Sequence, residues 1–181
     1  VITIARAAQT LKFPAHFTLI TAANPCPCGF LNDPEKDCCC TPLQILRYQK
    51  KFSGPLLDRF DLQIMVPRVK FIDLQTGATV TETKSLVKNI AAARAIQHKR
   101  FKSQGWPKLF TNSEITSTNI ERLCPLDSVS LELLKEAMVK FHLSARGYHR
   151  VIKVARTIAD LADCEKITVE HLAEALQYRL N

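Results

Sequence analysis

Two short apolar runs near the start of the chain have the pattern of buried strands. Residues 17–23 are apolar or β-branched and end at Asn24 and Pro25, and residues 62–66 form a second run that ends at Pro67. Runs of this length between breakers are typical of parallel-sheet strands buried on both faces, and proline cannot continue the hydrogen-bond ladder. Ligands bind beyond the carboxyl ends of such strands. Asn24 is therefore a candidate ligand contact, with a turn-forming asparagine as the alternative.

A helix is predicted between the two apolar runs. Thr41 and Pro42 are residue types favoured at the N-cap and at the first helical position, and the pattern continues to about Phe52. Two strands and a helix predict an α/β part with parallel-sheet strands over residues 1–70. Residues 71–84 are rich in threonine and contain glycine, which predicts a linker.

The rest of the chain has apolar positions at helical spacing and lacks strand alternation, which predicts an all-α part. Ser85, Ser144 and Thr168 are predicted N-caps, and a further helix is predicted to begin at Ser128 or Ser130. The positions expected to face the core are Leu86, Val87, Ile90, Ala91 and Ile96 in the first helix, Leu131, Leu134, Met138 and Phe141 in the second, Val151, Ile152, Ala155, Ile158 and Ala159 in the third, and Leu172, Ala173 and Leu176 in the last.

The composition is that of a globular protein with a basic surface. The 181 residues are 46% hydrophobic and 23% charged, and no apolar run approaches the ~20 residues that span a bilayer. The sequence therefore predicts a cytoplasmic protein without a membrane partner. A net charge of +8 suits a polyanionic partner.

Cysteines are concentrated in one loop. Of the seven cysteines, five lie between Cys26 and Cys40. Four of them, Cys26, Cys28, Cys38 and Cys40, form two Cys-x-Cys pairs whose thiolates can satisfy tetrahedral Zn²⁺. The alternatives are free thiols or a disulfide bridge. Cys39 is expected to be the spare cysteine, with its side chain directed away from its neighbours.

A basic segment follows the predicted linker. Residues 84–108 contain no acid. A basic helix suits a phosphate backbone, so DNA is a predicted partner; a solvated charged face is the alternative. The basic residues are Lys84, Lys88, Arg94, Lys99, Arg100, Lys102 and Lys108, with His98 among them.

Three motifs carry a family resemblance. Thr-Ala-Ala-Asn-Pro at residues 21–25, Gly-Pro-Leu-Leu-Asp-Arg-Phe-Asp at 54–61 and Ser-Ala-Arg-Gly at 144–147 occur in this order. Together they resemble the second half of a magnesium-chelatase-type AAA+ ATPase. The Cys-Pro-Cys-Gly loop and the segment at 154–161 resemble the ComM family in particular. The resemblance implies the remnant of an α/β AAA+ core followed by an all-α helical lid domain at residues 85–181.

The resemblance also implies site residues. Asn24 would be the sensor-1 amide that orients the attacking water or contacts the γ-phosphate. Arg59 would be the arginine finger, whose guanidinium reaches a neighbouring subunit's nucleotide. For Arg59 the alternative is an internal salt bridge with Asp58 or Asp61.

Arg146 would be sensor 2, at the start of a lid helix where the lid meets the nucleotide. Its alternative is a solvated arginine, and Arg150 and Arg156 are other candidates for the sensor-2 role.

The chain has no Gly-x-x-x-x-Gly-Lys-Ser/Thr segment, the usual cradle for ATP phosphates. We therefore expect the chain to be a piece of a longer protein in which the phosphate loop and the Mg²⁺-holding acids lie upstream of Val1. ATP and Mg²⁺ would be bound mainly there, and the chain alone is predicted to be inactive.

The resemblance implies a ring oligomer, a hexamer, that acts on DNA in a helicase- or branch-migration-like manner during recombination or natural transformation. Two alternatives remain. One is a magnesium chelatase motor subunit that remodels a metal-inserting partner, and the other is a zinc-bearing interaction module without a motor role.

Overall fold

The computed structural model describes residues 1–6, 9–15, 17–52, 54–69 and 80–179. The chain divides into two compact units, Val1–Lys51 and Phe52–Asn181. The family-implied division into a core part, a linker and a lid stays a prediction, and residues 71–79 of the predicted linker lie outside the described residues.

The first unit contains a hairpin, a long loop and one helix. Strands β1 (Ile2–Arg6) and β2 (Gln9–Phe13) pair antiparallel, with Ile4 opposite Leu11. After the loop, helix α1 (Pro42–Gln49) begins as predicted with Thr41 as N-cap. The capping is reciprocal, because Thr41 Oγ1 accepts from the Gln44 amide at 3.4 Å and Gln44 Oε1 accepts from the Thr41 amide at 2.8 Å.

The predicted parallel-sheet strands are not formed. Neither residues 17–23 nor residues 62–66 adopt strand structure, and the sheet found in the described part of the chain is the two-stranded hairpin. A parallel strand exists only beside neighbours that accept its backbone hydrogen bonds and cover its faces. The described residues supply no such neighbours, and the side chain of Ile20 is accordingly 89% exposed.

Helices form most of the described part of the second unit, and residues 58–69 are irregular. Its helices are α2 (Gly54–Leu57), α3 (Val80–Ser103), α4 (Ile120–Leu123), α5 (Ser128–Lys140), α6 (Ala145–Leu161) and α7 (Val169–Gln177). Two 3₁₀ turns, Asn112–Glu114 and Ser117–Asn119, precede α4. This part is compatible with the predicted helical lid. The predicted N-caps Ser144 and Thr168 are confirmed, and Asp127 caps α5.

Helix α3 differs from its prediction in its start and in its buried face. It begins at Val80, so Ser85 lies inside the helix and does not cap it. The helix packs on α6, and among its described side chains those that it buries, Ala93, Gln97 and Phe101, all lie in its C-terminal half. The predicted core positions Leu86, Val87, Ile90 and Ala91 are exposed, and Ile96 is half-buried.

The core of this unit lies where α6 meets α7, with α3, α4 and α5 around it. The prediction of inward positions is confirmed for Leu134, Val151, Ile152, Ala155, Ala159, Leu172 and Leu176, while Met138 and Ile158 are half-buried. Leu131, Phe141 and Ala173 are exposed because they lie at the edges of their helices' buried stripes. Within the described ranges, no helix combines the length and the apolar character that a membrane span requires.

Candidate functional site

The cysteine loop brings its four predicted ligands together. The Sγ atoms of Cys26, Cys28 and Cys38 lie 3.4 to 3.6 Å from one another, and Cys40 completes a set whose sulfurs all lie within 4.8 Å of one another. A zinc ion with Zn–S bonds of about 2.3 Å places its tetrahedral sulfurs ~3.8 Å apart, which these spacings fit. All four cysteines are free of disulfides, and Cys39 is exposed and lies outside this set.

Two local turns close this loop. The Gly29 amide donates to the Cys26 carbonyl at 3.1 Å, and Gly29 has φ +84°, a left-handed conformation that glycine adopts without strain. Further along, the Asp33 carboxylate accepts from the amides of Glu35 and Lys36 at 2.8 and 3.0 Å. These turns return the chain so that the second cysteine pair faces the first.

Two thiols of this set, those of Cys28 and Cys40, have pKa values shifted in opposite directions. A hydrogen bond from the Phe30 backbone amide lowers the pKa of Cys28 to about 5, whereas desolvation raises the pKa of Cys40 to about 12. Thiolates crowded this closely repel one another, so one proton leaves readily and another is retained. A divalent cation held by these cysteines would supply positive charge that favours their thiolate forms.

Asn24 lies beside the cysteine loop. Asn24 is exposed and does not lie at the end of a strand. Its side chain is close to Gly29, since a Cβ atom added at Gly29 would lie 3.8 Å from Asn24 Cγ. Asn24 belongs to the first unit, and the candidate arginines belong to the second.

Arg59 and Arg146 are both exposed residues of the second unit. Arg146 lies in the first turn of α6. The two acids that flank Arg59 are bonded to arginines of the helical part: Asp58 pairs with Arg179 at 2.9 Å, and Asp61 pairs with Arg150 at 3.1 Å.

Two other candidates for sensor 2 have structural partners. Arg150 also donates to the Arg59 carbonyl. The side chain of Arg156 is only 3% exposed, and it donates to the carbonyls of Cys164 and Glu165 at 2.6 and 2.7 Å and pairs with Asp160 at 3.0 Å. The alternative that Arg156 is the sensor-2 residue is therefore wrong, because its side chain is buried among partners of its own unit.

A buried polar network removes Arg100 from the predicted basic surface. Arg100 donates to both oxygens of Asp160, at 2.5 and 2.8 Å, and to Asn112 Oδ1 at 2.9 Å. The prediction that Arg100 faces a phosphate backbone is wrong, because this buried carboxylate draws it inward. Asp160 and Asn112 were missed by sequence reasoning; an acid at Asp160 amid the apolar pattern of α6 was the available signal.

Five of the other six basic residues of α3 form one exposed face, and Arg94 is exposed beside the buried stripe. At 3.6 residues per turn, Lys84, Lys88, His98, Lys99 and Lys102 fall on the side of the helix opposite its buried residues, and all five are exposed. Phe110 extends this face by stacking on His98, with ring centroids 5.9 Å apart and planes 5° apart. We name the five helical residues the α3 basic face.

Residues 80–179 match the family model of the magnesium chelatase subunit ChlI C-terminal region, and residues 1–74 match that of magnesium chelatase subunit ChlI. The chain belongs to the magnesium chelatase ChlI family. The match over residues 1–74 contains the motifs with Asn24 and Arg59, and the match over residues 80–179 contains the motif with Arg146.

Relatives in this family include the competence protein ComM of Haemophilus influenzae, which is 41% identical over 179 residues that cover 98% of this chain and 33% of the relative. YifB of Escherichia coli, an uncharacterized protein, is 36% identical over 177 residues, covering 97% of this chain and 33% of the relative. The chain therefore spans about a third of the length of these relatives.

Proposed function

We propose that the chain is part of an AAA+ ATPase, an ATP-driven ring motor that acts on DNA. Membership of the magnesium chelatase ChlI family supports the ATPase class. The observation that carries the proposal is that two exposed arginines, Arg59 and Arg146, lie in the same unit. Within this unit, hydrogen bonds join the segment around Arg59 to α6, the helix that carries Arg146. The proposal includes assembly of the full-length protein into a hexameric ring.

Phosphoryl transfer requires positioning and charge stabilisation around the γ-phosphate. In the proposal, Arg59 stabilises transition-state charge on a neighbouring subunit's nucleotide, Arg146 contacts nucleotide where the lid meets it, and Asn24 orients the attacking water or contacts the γ-phosphate. Guanidinium groups stay charged and match phosphate oxygens. ATP and Mg²⁺ would be held mainly by a part of the full-length protein outside this chain, because the chain contains no phosphate-loop sequence.

The decisive experiment substitutes Arg59→Ala in the full-length protein. We expect folding and ATP binding to be kept and hydrolysis to fall by roughly 10³–10⁵, the range for loss of an arginine finger. Arg122→Ala, a change at another exposed arginine of this unit, is the matched control and should hydrolyse ATP normally. Mixing Arg59→Ala with subunits that have an inactive phosphate loop should restore activity, because each supplies what the other lacks. Normal hydrolysis by Arg59→Ala would refute the finger assignment.

The proposal of a DNA substrate rests on the α3 basic face and on the name of the competence protein among the relatives. In the full-length protein we expect binding to single-stranded or forked DNA that weakens with salt. Removal of one lysine–phosphate interaction should lower the salt slope by about 0.7–0.9, so the double change Lys99→Gln and Lys102→Gln should flatten it by up to about twice that. A control in which Lys135→Gln removes an exposed lysine from α5 should keep the slope.

A magnesium chelatase motor subunit is the second candidate, because the family model carries that description. Such a protein would remodel a metal-inserting partner without binding nucleic acid. Absence of salt-dependent DNA binding by the full-length protein, with ATPase activity retained, would favour this second candidate.

We also propose that Cys26, Cys28, Cys38 and Cys40 hold a structural zinc ion. Four protein ligands close the coordination sphere, which is the pattern of a structural and not a catalytic site. The zinc would fix the loop that carries Asn24 beside Gly29. If the full-length protein binds zinc but has no ATPase activity, the remaining function is that of a zinc-bearing interaction module.

A further inference from the structure

The segment that carries Arg59 is bonded to the helical part of its unit through Asp58. One carboxylate oxygen of Asp58 accepts from Ser144 Oγ at 2.6 Å, and the other accepts from Arg179 Nη2 at 2.9 Å. Ser144 is also the N-cap of α6, since its hydroxyl accepts from the Gly147 amide at 3.0 Å. One hydroxyl thus joins Asp58 to the helical turn that carries Arg146.

Contacts continue on the other side of Arg59. Arg179 also donates to the Phe60 carbonyl at 3.0 Å, and the Gln63 amide donates to the Tyr178 carbonyl at 2.8 Å. Arg150, one turn beyond Arg146, donates to the carbonyl of Arg59 itself and pairs with Asp61. The backbone of Arg59 is therefore fixed from both directions against α6 and the end of α7.

The Asp58–Arg179 pair is less exposed than an ordinary surface ion pair. The side chain of Arg179 is only 4% exposed, and that of Asp58 is 32% exposed. Charge-assisted hydrogen bonds with buried partners are short and directional, whereas exposed pairs exchange readily with water. Loss of the Asp58 carboxylate would leave the buried guanidinium of Arg179 without its anionic partner.

We propose that Asp58, Arg150 and Arg179 are positioning residues that couple Arg59 to Arg146. Their bonds to Ser144, to the Arg59 carbonyl and to the Phe60 carbonyl hold the Arg59 segment in one position relative to the helix that carries Arg146. This inference rests on the proposed function for the two arginines. It adds the residues that would hold the finger in place for hydrolysis on a neighbouring subunit.

The test is a double-mutant cycle in the full-length protein. We expect Asp58→Asn to lower kcat on the order of 10- to 100-fold, the effect of misplacing a catalytic group by about 1 Å, with KM for ATP unchanged. Because Asp58 acts through Arg59, the double variant Asp58→Asn, Arg59→Ala should be no slower than Arg59→Ala alone. Glu132→Gln, which makes the same chemical change at an exposed ion pair on α5, should retain full activity.

The outcomes separate this inference from the proposed function. Normal hydrolysis by Arg59→Ala refutes the finger and the coupling with it. If Arg59→Ala is inactive while Asp58→Asn is fully active, the coupling alone is overturned. The coupling is also overturned if the losses of kcat in the two single variants multiply in the double variant.

A milder variant guards against misfolding. Ser144→Ala removes one hydroxyl of the contact and should lower kcat in the same direction without changing KM. In either variant, hydrogen exchange should be faster at the Gln63 amide, which bonds to Tyr178, and unchanged at the Leu131 amide, which bonds within the turn at Asp127. An unchanged Gln63 amide would overturn the proposal.

Discussion

The buried carboxylate of Asp160 offers the sharpest test of how the helical unit is held together. It accepts hydrogen bonds from Arg100 at 2.5 and 2.8 Å, from Asn112 at 2.8 Å and from Arg156 at 3.1 Å. These bonds join α3, the turn before α4 and α6. The perturbation is Asp160→Asn, which keeps the shape of the side chain and removes its charge.

The expected cost follows from what the substitution leaves behind. The Asp160 side chain is 0% exposed, and the side chains of Arg100 and Arg156 are 14% and 3% exposed. Breaking a buried ion pair by removing one partner costs about 3–5 kcal/mol because the remaining charge is uncompensated. Asparagine retains one acceptor oxygen, so we expect a loss of about 3 kcal/mol. For a chain of this size that lowers Tm by roughly 6–12 °C.

The chain's single tryptophan provides the assay. Trp106 packs against the core of the second unit, so its fluorescence during urea unfolding reports on the unit that contains Asp160. The matched control is Asp163→Asn, an exposed position at φ 55°, where asparagine tolerates the left-handed conformation. Unfolding free energies for the two variants that agree within about 0.5 kcal/mol, the spread of neutral surface changes, would refute the reasoning.

The remaining predictions concern the cysteine loop and the core. Elemental analysis should find about one zinc per chain; Cys26→Ser should lose it and Cys39→Ser should keep it, and equal loss from both would contradict the ligand set. Leu134→Ala should destabilise the second unit by about 2–5 kcal/mol because Leu134 is fully buried. Val139→Ala on the exposed side of the same helix should change stability by less than about 0.5 kcal/mol in the same urea titration.

Local features were predictable from the sequence. The reciprocal cap of Thr41, the caps of Ser144 and Thr168 and the buried stripes of α6 and α7 depend on residues a few positions apart. Short loops bring their own ends together at small entropic cost, so the spacing of the cysteines sufficed to predict which four converge.

The sheet and the pairing of charges were not predictable in this way. Residues 17–23 carry the composition of a buried strand, yet strand formation depends on neighbours that no local pattern supplies. For the same reason, the pattern of α3 could not show that the side chains it buries, among those described, all lie in its C-terminal half.

Lys99 and Arg100 show the division most clearly. They are adjacent and of like charge, and the sequence by itself determined that both lie on a basic helix with family motifs on either side. Only the tertiary structure decided that Arg100 turns inward to Asp160 while Lys99 stays exposed. The physical reason is that a buried carboxylate sixty positions away selects the one guanidinium that helical geometry points toward it, because an uncompensated charge is costly inside a protein.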